Sequence, residues 1–260
     1  MLTSLVATRY VTPLREGGSV PAIVECDDDG LYVVKLRGAA QGIKALIAEV
    51  IAAELGRALG LAVPTAVLVT LDVALGRAER DTEIRELLNA SVGVNFGLDY
   101  LPGSVTFDPV ARPVPDALEA SRIVWFDAFL TNIDRTPKNP NLLAWHGRLW
   151  LIDHGASLYF QHGWDEPRAR AKTSFALIRQ HVLLPWASKL EEVSGELASK
   201  LTQGVVNAAL ESVPDEWLTH EPRFPNPALH REAWREYLSE RLRSAPAFLA
   251  EAVRARGELV

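Results

Sequence analysis

The chain has 260 residues, a formal net charge of −6 at pH 7 and a single cysteine, Cys26. This length can bury a large core without disulfides or structural metals, and one cysteine excludes both an internal disulfide and a cysteine-rich zinc site. The acidic balance argues against nucleic acid as a partner, and no apolar run approaches the roughly 20 residues of a membrane span, so we expect a cytoplasmic protein that binds no membrane.

The first hundred residues are predicted to form strands around one long helix. β-Branched and aromatic runs separated by turn signals predict strands near residues 6–11, 20–26, 31–36, 64–71 and 92–100. Apolar residues at helical spacing predict a helix from Gly42 to Leu59, which Gly60 ends and Pro64 prevents from continuing. A short polar helix is predicted near residues 82–89.

After a proline-rich linker at residues 109–115, the chain is predicted to be mainly helical. Helices are expected over residues 116–131, 173–182, 187–202, 203–213 and 227–243, and a hairpin over residues 142–152. Pro246 should interrupt that last helix, and a final short helix is expected to run on to Val253. This order predicts an α+β protein of two lobes: a small antiparallel sheet with one long helix in residues 1–103, and a larger, mainly helical lobe in residues 104–260.

A polar loop and the hairpin behind it contain the residue types that phosphoryl transfer needs. Asp134 and Asn139 are five residues apart, and Asp153 follows Asn139 by fourteen residues. In kinases one carboxylate positions the attacking hydroxyl, while an amide and a second carboxylate hold Mg²⁺ against the nucleotide phosphates. A turn-rich polar loop gives a purely structural explanation of the first spacing. Asp153-His-Gly after two apolar strands makes the functional interpretation more specific.

A lysine in the first lobe provides an independent match. Lys35 ends a predicted strand, and Glu49 lies fourteen residues further on in the long helix. A strand lysine paired with a helix glutamate orients the α- and β-phosphates in kinases, although a lysine at a strand end is otherwise a solvated edge residue. On the helical wheel Glu54 lies within the apolar stripe and Glu49 outside it, so periodicity favours Glu54 as the buried partner. The residues alone leave both glutamates open.

Gly17, Gly18 and Ser19 join two predicted strands a short distance before Lys35. Backbone N–H groups in such a turn can bind phosphate. Gly-Gly-Ser is also ordinary loop material, and only the position of Lys35 downstream favours the phosphate interpretation.

The histidines and tryptophans are given structural roles. No Gly-x-Ser-x-Gly or His-Glu-x-x-His pattern occurs, which argues against a serine hydrolase and against a zinc site. The six histidines are therefore expected on the surface or in loops. The tryptophans are expected in the core, with Trp164 as the exposed exception.

On these residues the chain resembles the HipA-like kinases, which have a protein-kinase-like fold and are more distantly similar to the phosphoinositide kinases. Three segments within residues 15–159 carry the resemblance: Val33-Val-Lys35-Leu, the helix with Ala48-Glu49 that leads to Gly-Leu-Ala-Val-Pro64, and Asp134-Arg…Asn139…Ile152-Asp153-His-Gly155. The interval from Glu49 to the Gly-Leu-x-x-Pro segment is similar to that of the family. The resemblance therefore favours Glu49 over Glu54.

The resemblance implies that Lys35 contacts the phosphates of ATP and pairs with Glu49, and that Asp134 is the catalytic carboxylate. The implied function is an ATP- and Mg²⁺-dependent phosphotransferase that moves the γ-phosphoryl group to a hydroxyl, with a protein serine or threonine as the favoured acceptor. No substrate-docking signature of protein kinases follows Gly155, which leaves a small-molecule hydroxyl as another acceptor. A catalytically silent nucleotide-binding regulatory module is the alternative from a different class.

The resemblance also implies a metal site. Asn139 and Asp153 would bind Mg²⁺. Asn141 is an alternative ligand, because Asn139-Pro-Asn141 offers two amides before the next strand. The spacing of five residues from Asp134 favours Asn139.

Overall fold

Five strands in the first hundred residues form one closed barrel. They are β1 (Thr3–Pro13), β2 (Ala22–Cys26), β3 (Leu31–Lys35), β4 (Ala66–Leu71) and β5 (Gly93–Asp99). Their order around the barrel is β1-β2-β3-β5-β4. This computed structural model describes residues 1–14, 21–39, 42–77, 79–111 and 114–259.

The barrel closes through one parallel pair of strands. β1 pairs with β4 in parallel, with Thr3 opposite Val67, whereas the other neighbours are antiparallel. The prediction of a wholly antiparallel sheet is wrong for this pair. Parallel strands require a long connection, and here that connection contains β2, β3 and the long helix.

The long helix, α1 (Gly42–Ala58), packs against both the barrel and the second half of the chain. Every residue from Ala45 to Ala53 is buried. The apolar residues of α1 belong to one hydrophobic cluster with residues of β4, β5 and the later helices. Gly60 follows the helix with a φ of 80°, the left-handed conformation that commonly ends helices.

Two short helices, α2 (Val73–Arg77) and α3 (Thr82–Ala90), connect β4 to β5. The sequence predicts α3 but not α2, which is only five residues long. Asp81 caps α3, because its side chain accepts hydrogen bonds from the N–H groups of Glu83 and Ile84.

The second half contains a small sheet and a set of helices. The sheet consists of β6 (Val105–Thr106), β7 (Leu142–Trp145) and β8 (Arg148–Leu151). The helices are α4 (Ala117–Leu130), α5 (Pro167–Ala171), α6 (Leu190–Lys200), α7 (Gln203–Glu211), α8 (Asp215–Leu218), α9 (Pro227–Arg243) and α10 (Ala245–Gly257). Ten of the 14 residues of α4 are buried, so it forms the centre of this core. Within the described residues no helix is long and apolar enough to cross a membrane.

The structure differs from one predicted helix and agrees with the predicted break near Pro246. Residues 173–182 contain a short 3-10 turn, Ala176–Gln180, in place of an α-helix. The chain enters this turn from Phe175 in the left-handed region, with a φ of 60°, which a regular helix excludes. The predicted interruption near Pro246 is confirmed, because α9 ends at Arg243 and a new helix, α10, begins at Ala245. Pro246 lies in the first turn of α10, where its missing N–H has no intrahelical partner to lose.

Candidate active site

A buried ammonium group joins the barrel to the hairpin of the second half. Lys35, the last residue of β3, places Nζ in contact with Glu49 of α1 and 2.5 Å from Oδ1 of Asp153. The lysine side chain is 12% exposed, that of Glu49 is fully buried and that of Asp153 is 34% exposed. Three predicted site residues are therefore in contact at the ammonium group of Lys35, although Lys35 and Asp153 are 118 positions apart in the sequence.

Glu49, and not Glu54, contacts this lysine. Glu54 instead accepts a hydrogen bond from Ser212 Oγ at 3.2 Å and lies 3.6 Å from the Arg57 guanidinium. Helical periodicity favours the wrong residue because α1 is buried on all sides over its central turns. An apolar stripe identifies the buried face of a helix only where the opposite face is in solvent.

The charges at this point stabilise one another. Burial alone would raise the pKa of Glu49, but Lys35 and the nearby His154 outweigh it and hold that pKa at about 2. Burial alone would lower the pKa of Lys35, but Glu49 and Asp153 raise it above its ordinary value. His154 is itself buried, with Nδ1 3.7 Å from Glu49 Oε2. Lys35 and Glu49 are therefore both ionised at neutral pH.

The loop that contains Asp134 begins where α4 ends. Thr131 closes α4 with a left-handed φ of 53°. Both candidate amides contact the same carboxylate oxygen: Nδ2 of Asn139 donates to Asp134 Oδ2 at 2.8 Å, and Nδ2 of Asn141 donates to it at 3.3 Å. Asn139 is exposed and Asn141 is buried. An amide that donates through its nitrogen keeps its oxygen as a ligand for a cation.

A buried ion pair beneath this loop holds it in place. Arg135 Nε donates to Asp127 Oδ2 at 2.5 Å, and both side chains are fully buried. Asp127 also accepts hydrogen bonds from Asn132 Nδ2 at 3.0 Å and from His181 Nε2 at 2.8 Å. Asn132 Oδ1 in turn accepts from the backbone N–H of Asp134 at 3.1 Å. A buried carboxylate of α4 thus positions Asp134 through its neighbours.

The partners of His181 determine its protonation. Its Nδ1 accepts a hydrogen bond from the backbone N–H of Leu183 at 3.0 Å, so the proton must be on Nε2, which donates to Asp127. Burial lowers the pKa of His181 despite the carboxylate beside it. The ring is therefore a neutral donor at pH 7, and the single positive charge opposite Asp127 comes from Arg135.

The Arg135 guanidinium also connects the loop to the hairpin. Its Nη1 donates to the backbone carbonyl of Asn141 and, at 3.3 Å, to that of Ile152. The N–H of Ile152 donates to the Asn141 carbonyl at 3.1 Å. Asn141 and Asp153 therefore lie at neighbouring positions of two paired segments. Asp153 has a φ of 54°, a strained conformation that is common at functional sites.

The predicted site residues that the structure describes form two sets of contacts, and the remaining three predicted residues lie outside the described part of the chain. Lys35 contacts Glu49 and Asp153, Asn139 contacts Asp134, and Gly17, Gly18 and Ser19 lie outside the residues that the structure describes. The pairing of Asn141 with Ile152 links the two sets of contacts.

Sequence reasoning missed the buried ion pair under the loop. A signal was present, since Asp127 is a charged residue within the apolar run of α4 and a buried charge requires a partner. Its position alone does not identify Arg135 as that partner.

The predictions for His230 and Trp164 are wrong. His154 and His181 are buried but lie in loops, as predicted, whereas His230 is buried within α9 and is neither on the surface nor in a loop. Trp164, the expected exposed tryptophan, is only 8% exposed. These residues lie in irregular segments or on a charged helix, and distant segments of the chain cover them.

The oxygen donors of this site fit Mg²⁺. Asp153 offers a partly exposed carboxylate, and Asn139 and Asn141 offer amide oxygens, which are the hard ligands that Mg²⁺ prefers. Among the described residues no group of three or more His, Cys, Asp or Glu side chains forms a metal cluster. Mg²⁺ does not require such a cluster, because it keeps several waters and binds substrate phosphates.

Comparison with known proteins identifies the family. A model of the HipA-like kinase family matches residues 8–245. The chain belongs to the HipA-like kinase family. The resemblance seen in the sequence is thereby confirmed, and this protein is a kinase.

Two solved structures share the mixed α+β fold of this kinase. The Helicobacter pylori proinflammatory kinase CtkA aligns with a TM-score of 0.55 and 12% identity, over 98% of this chain and 98% of its own. The Golgi casein kinase with Mn/ADP bound aligns with a TM-score of 0.50 and 12% identity, over 98% of this chain and 74% of its own. At this identity the similarity concerns the fold. No curated protein matches the chain.

Replacing Asp127 with asparagine should strongly destabilise the protein. The change removes the only carboxylate hydrogen-bonded to buried Arg135 among the described residues, and breaking a buried ion pair from one side costs about 3–5 kcal/mol. Urea denaturation measures the loss in the free energy of unfolding. Asp215→Asn removes one carboxylate partner of Arg231 at a 73% exposed position and should have a far smaller effect. Equal effects of the two substitutions would contradict the positioning role of Asp127.

The free energy of unfolding should decrease between pH 4.5 and 2, and protonation of Glu49 should account for part of this decrease. The pKa of Glu49 is lowered from 4.5 to about 2 in the folded protein, so its stabilising effect is present above pH 4.5 and is lost as the pH falls toward 2. Glu49→Gln should therefore flatten the pH dependence of the free energy of unfolding between pH 4.5 and 2. Glu86→Gln, at an exposed position of α3, is the matched control. An unchanged slope in Glu49→Gln would refute the assignment.

Proposed function

We propose that this kinase is ATP- and Mg²⁺-dependent and transfers the γ-phosphoryl group to a hydroxyl, with a protein serine or threonine as the favoured acceptor. The observation that carries this proposal is the contact of Lys35 Nζ with both Glu49 and Asp153. It brings a cation suited to phosphate next to a carboxylate suited to a divalent metal, as phosphoryl transfer from a nucleotide requires. The Golgi casein kinase structure, which contains Mn/ADP and shares the fold, supports the use of nucleotide and metal.

We assign nucleotide binding to residues 1–103 and catalysis and metal binding to residues 104–260. The change of sheet supports this division: β5 ends in the barrel at Asp99, and β6 begins in the second sheet at Val105. Lys35 and Glu49 lie before the boundary, and the loop of Asp134 lies after it.

Lys35 would exchange one of its two partners when nucleotide binds. Its ammonium group has three donors, and Glu49 and Asp153 each accept from it. Glu49 is fully buried and would keep its contact, whereas Asp153 is 34% exposed and would turn toward the metal. The donors released in this way would bind the α- and β-phosphate oxygens.

Mg²⁺ would be held by Asp153 together with Asn139 or Asn141, and when bound it neutralises charge on the phosphates. The spacing from Asp134 supports Asn139. The contacts support Asn141 more strongly, because it is buried, directly precedes β7 and accepts through its carbonyl from the N–H of Ile152, the neighbour of Asp153. We therefore propose Asn141 as the principal amide ligand.

Asp134 would act on the acceptor. Its Oδ2 receives the two amides of Asn139 and Asn141, and Oδ1 receives no hydrogen bond within the described residues. This oxygen would accept the proton of the acceptor hydroxyl while the hydroxyl oxygen bonds to the γ-phosphorus and ADP leaves. The network from Asp127 through Asn132 holds the Asp134 backbone during this step.

Asp134→Ala should lower kcat by about 10²–10⁴-fold, the usual contribution of a positioned acid–base group. The Kd of the nucleotide should change far less than kcat, because Asp134 is not assigned to nucleotide or metal and its carboxylate contacts, within the described residues, only the two amides. Turnover of ATP and calorimetric titration with a non-hydrolysable Mg·ATP analogue measure the two quantities. Asp165→Ala, at an exposed carboxylate of the same half, should retain both.

The same assays separate the alternative functions. Phosphoserine or phosphothreonine found by mass spectrometry after incubation with ATP supports a protein acceptor. Transfer only to added small alcohols would instead identify a small-molecule kinase. Wild-type protein that binds the Mg·ATP analogue but shows no turnover with any acceptor would contradict catalysis and favour a silent nucleotide-binding module.

Asn141→Ala should raise the Mg²⁺ concentration for half-maximal activity by about tenfold or more, an effect typical of groups at a metal site. Asn139→Ala is the matched variant, since both amides donate to the same oxygen of Asp134. A larger shift in Asn139→Ala than in Asn141→Ala would transfer the ligand role to Asn139.

A further inference from the structure

A lysine and a buried glutamine join the first turn of α1 to the segment that follows Asp153. Lys44 Nζ donates to the backbone carbonyl of Gln161 at 3.1 Å, and Gln161 Nε2 donates to the backbone carbonyl of Lys44 at 2.9 Å. Lys44 Nζ also donates to Oε2 of Glu221, in the loop before α9, at 2.8 Å. Gln161 is 1% exposed and Glu221 is 6% exposed. These three residues are called the clasp below.

The position of Lys44 does not favour α1 as a helix. Lys44 lies in the first turn, which contains no acidic residue. The helix dipole is positive at this end, so a cation here is unfavourable. Burial alone would raise the pKa of Glu221, but Lys44 outweighs it and lowers that pKa below its ordinary value. The ammonium group of Lys44 therefore serves a contact between distant segments and not the helix itself.

Polar contacts fix the rotation of α1 more sharply than its apolar packing does. The central turns of α1 are buried on all sides in the hydrophobic cluster, and hydrophobic burial has no preferred direction. Hydrogen bonds have a preferred direction. Lys44 and Glu49 are five residues apart, which separates them by about 7.5 Å along the helix axis and by about 140° around it. A contact at Lys44 therefore restrains both the height and the direction of Glu49.

The segment that contains Gln161 begins at the second partner of Lys35, which is Asp153. The N–H of Leu158 donates to the carbonyl of Leu130 at 2.8 Å, and this bond ties the middle of the segment to the end of α4. Of the two carboxylates that contact Lys35, α1 carries one and this segment carries the other. The clasp thus joins the two elements that supply the partners of the site lysine.

We infer that Lys44 and Gln161 are positioning residues for Lys35. By joining α1 to the segment after Asp153, the clasp holds Glu49 at Lys35. Glu49 then keeps the ammonium group of Lys35 in place for the phosphates when Asp153 turns toward the metal. The hold on α1 follows from the contacts alone, whereas its effect on nucleotide affinity rests on the proposed function.

Lys44→Met removes the ammonium group and keeps the length of the side chain. It should raise the Kd of a non-hydrolysable Mg·ATP analogue about tenfold, because Lys35 loses a fixed partner. The KM for ATP should rise with it and kcat should change less, since Lys35 binds the phosphates both before and during transfer. Lys44→Arg keeps the charge and the donors and should stay within about threefold of wild type. Calorimetric titration and steady-state kinetics measure these quantities.

A control lysine separates positioning from stability. Lys172→Met disrupts another lysine–glutamate pair, with Glu240 at 3.5 Å, and should leave the Kd of the analogue unchanged. Urea denaturation gives the free energy of unfolding of each variant. If Lys44→Met lowered only this free energy and left the Kd of the folded protein at the wild-type value, its role would be structural and the proposal would be overturned.

Gln161→Met tests whether the two positioning residues act as one unit. It removes the donor to the Lys44 carbonyl and should raise the Kd of the analogue as Lys44→Met does. The double variant should bind the analogue within about threefold of either single variant, because substitutions within one hydrogen-bond network are not additive. Effects that multiply to about a hundredfold would show two independent roles and would overturn the clasp.

Amide hydrogen exchange tests the hold on α1 without nucleotide or turnover. In Lys44→Met the amides of residues 45–49 should exchange at least about tenfold faster, relative to those of α4, than they do in the wild type. Unchanged relative exchange would overturn the clasp. Wild-type protein that binds no Mg·ATP analogue would refute the proposed function and with it the effect on nucleotide affinity, and the exchange rates would still show whether the clasp holds α1.

Discussion

The arrangement of this protein depends on one ammonium group that is removed from water between two carboxylates. Moving an ion into a protein interior costs several kcal/mol, and this cost is offset only if partners of opposite charge are held close. Here the partners come from different elements: Glu49 from the buried helix α1 and Asp153 from the end of the hairpin. The positions of barrel, helix and hairpin are therefore tied to the charge of Lys35.

A second buried ion pair, between Asp127 and Arg135, fixes the position of the loop that contains Asp134. It is sealed, with both side chains fully buried, whereas the contact of Lys35 with Asp153 is partly open to solvent. A sealed pair can only position its surroundings, and a partly open one can exchange partners. The buried pair of Asp127 and Arg135 thus positions the loop, whereas the pair of Lys35 and Asp153 is available for chemistry. Arg135 connects the two pairs, because it binds backbone carbonyls on both sides of the hairpin.

The sequence predicts Lys35, Asp134 and Asp153 as site residues, because each lies next to a strand or turn that neighbouring residues are enough to predict. Glu49 could not be separated from Glu54 by periodicity, since α1 is covered on every side and all its faces are apolar. The resemblance to a family supplied the missing information. Arg135 and His230 were not predicted as buried, because their partners lie in segments that only the tertiary fold brings to them. The parallel pairing of β1 with β4 escaped prediction for the same reason.

That parallel pairing has a consequence for how other proteins can associate with this kinase. In an open sheet, the outermost strands offer unpaired backbone groups on which a partner can lay down a further strand. The ring of five strands leaves no such outer strand, since β1 and β4 complete each other's hydrogen bonding. A partner that docks on the barrel therefore has to be recognised through side chains, and among the described strands the addition of a further strand is left to the outer strands of the small second sheet, β6 and β8.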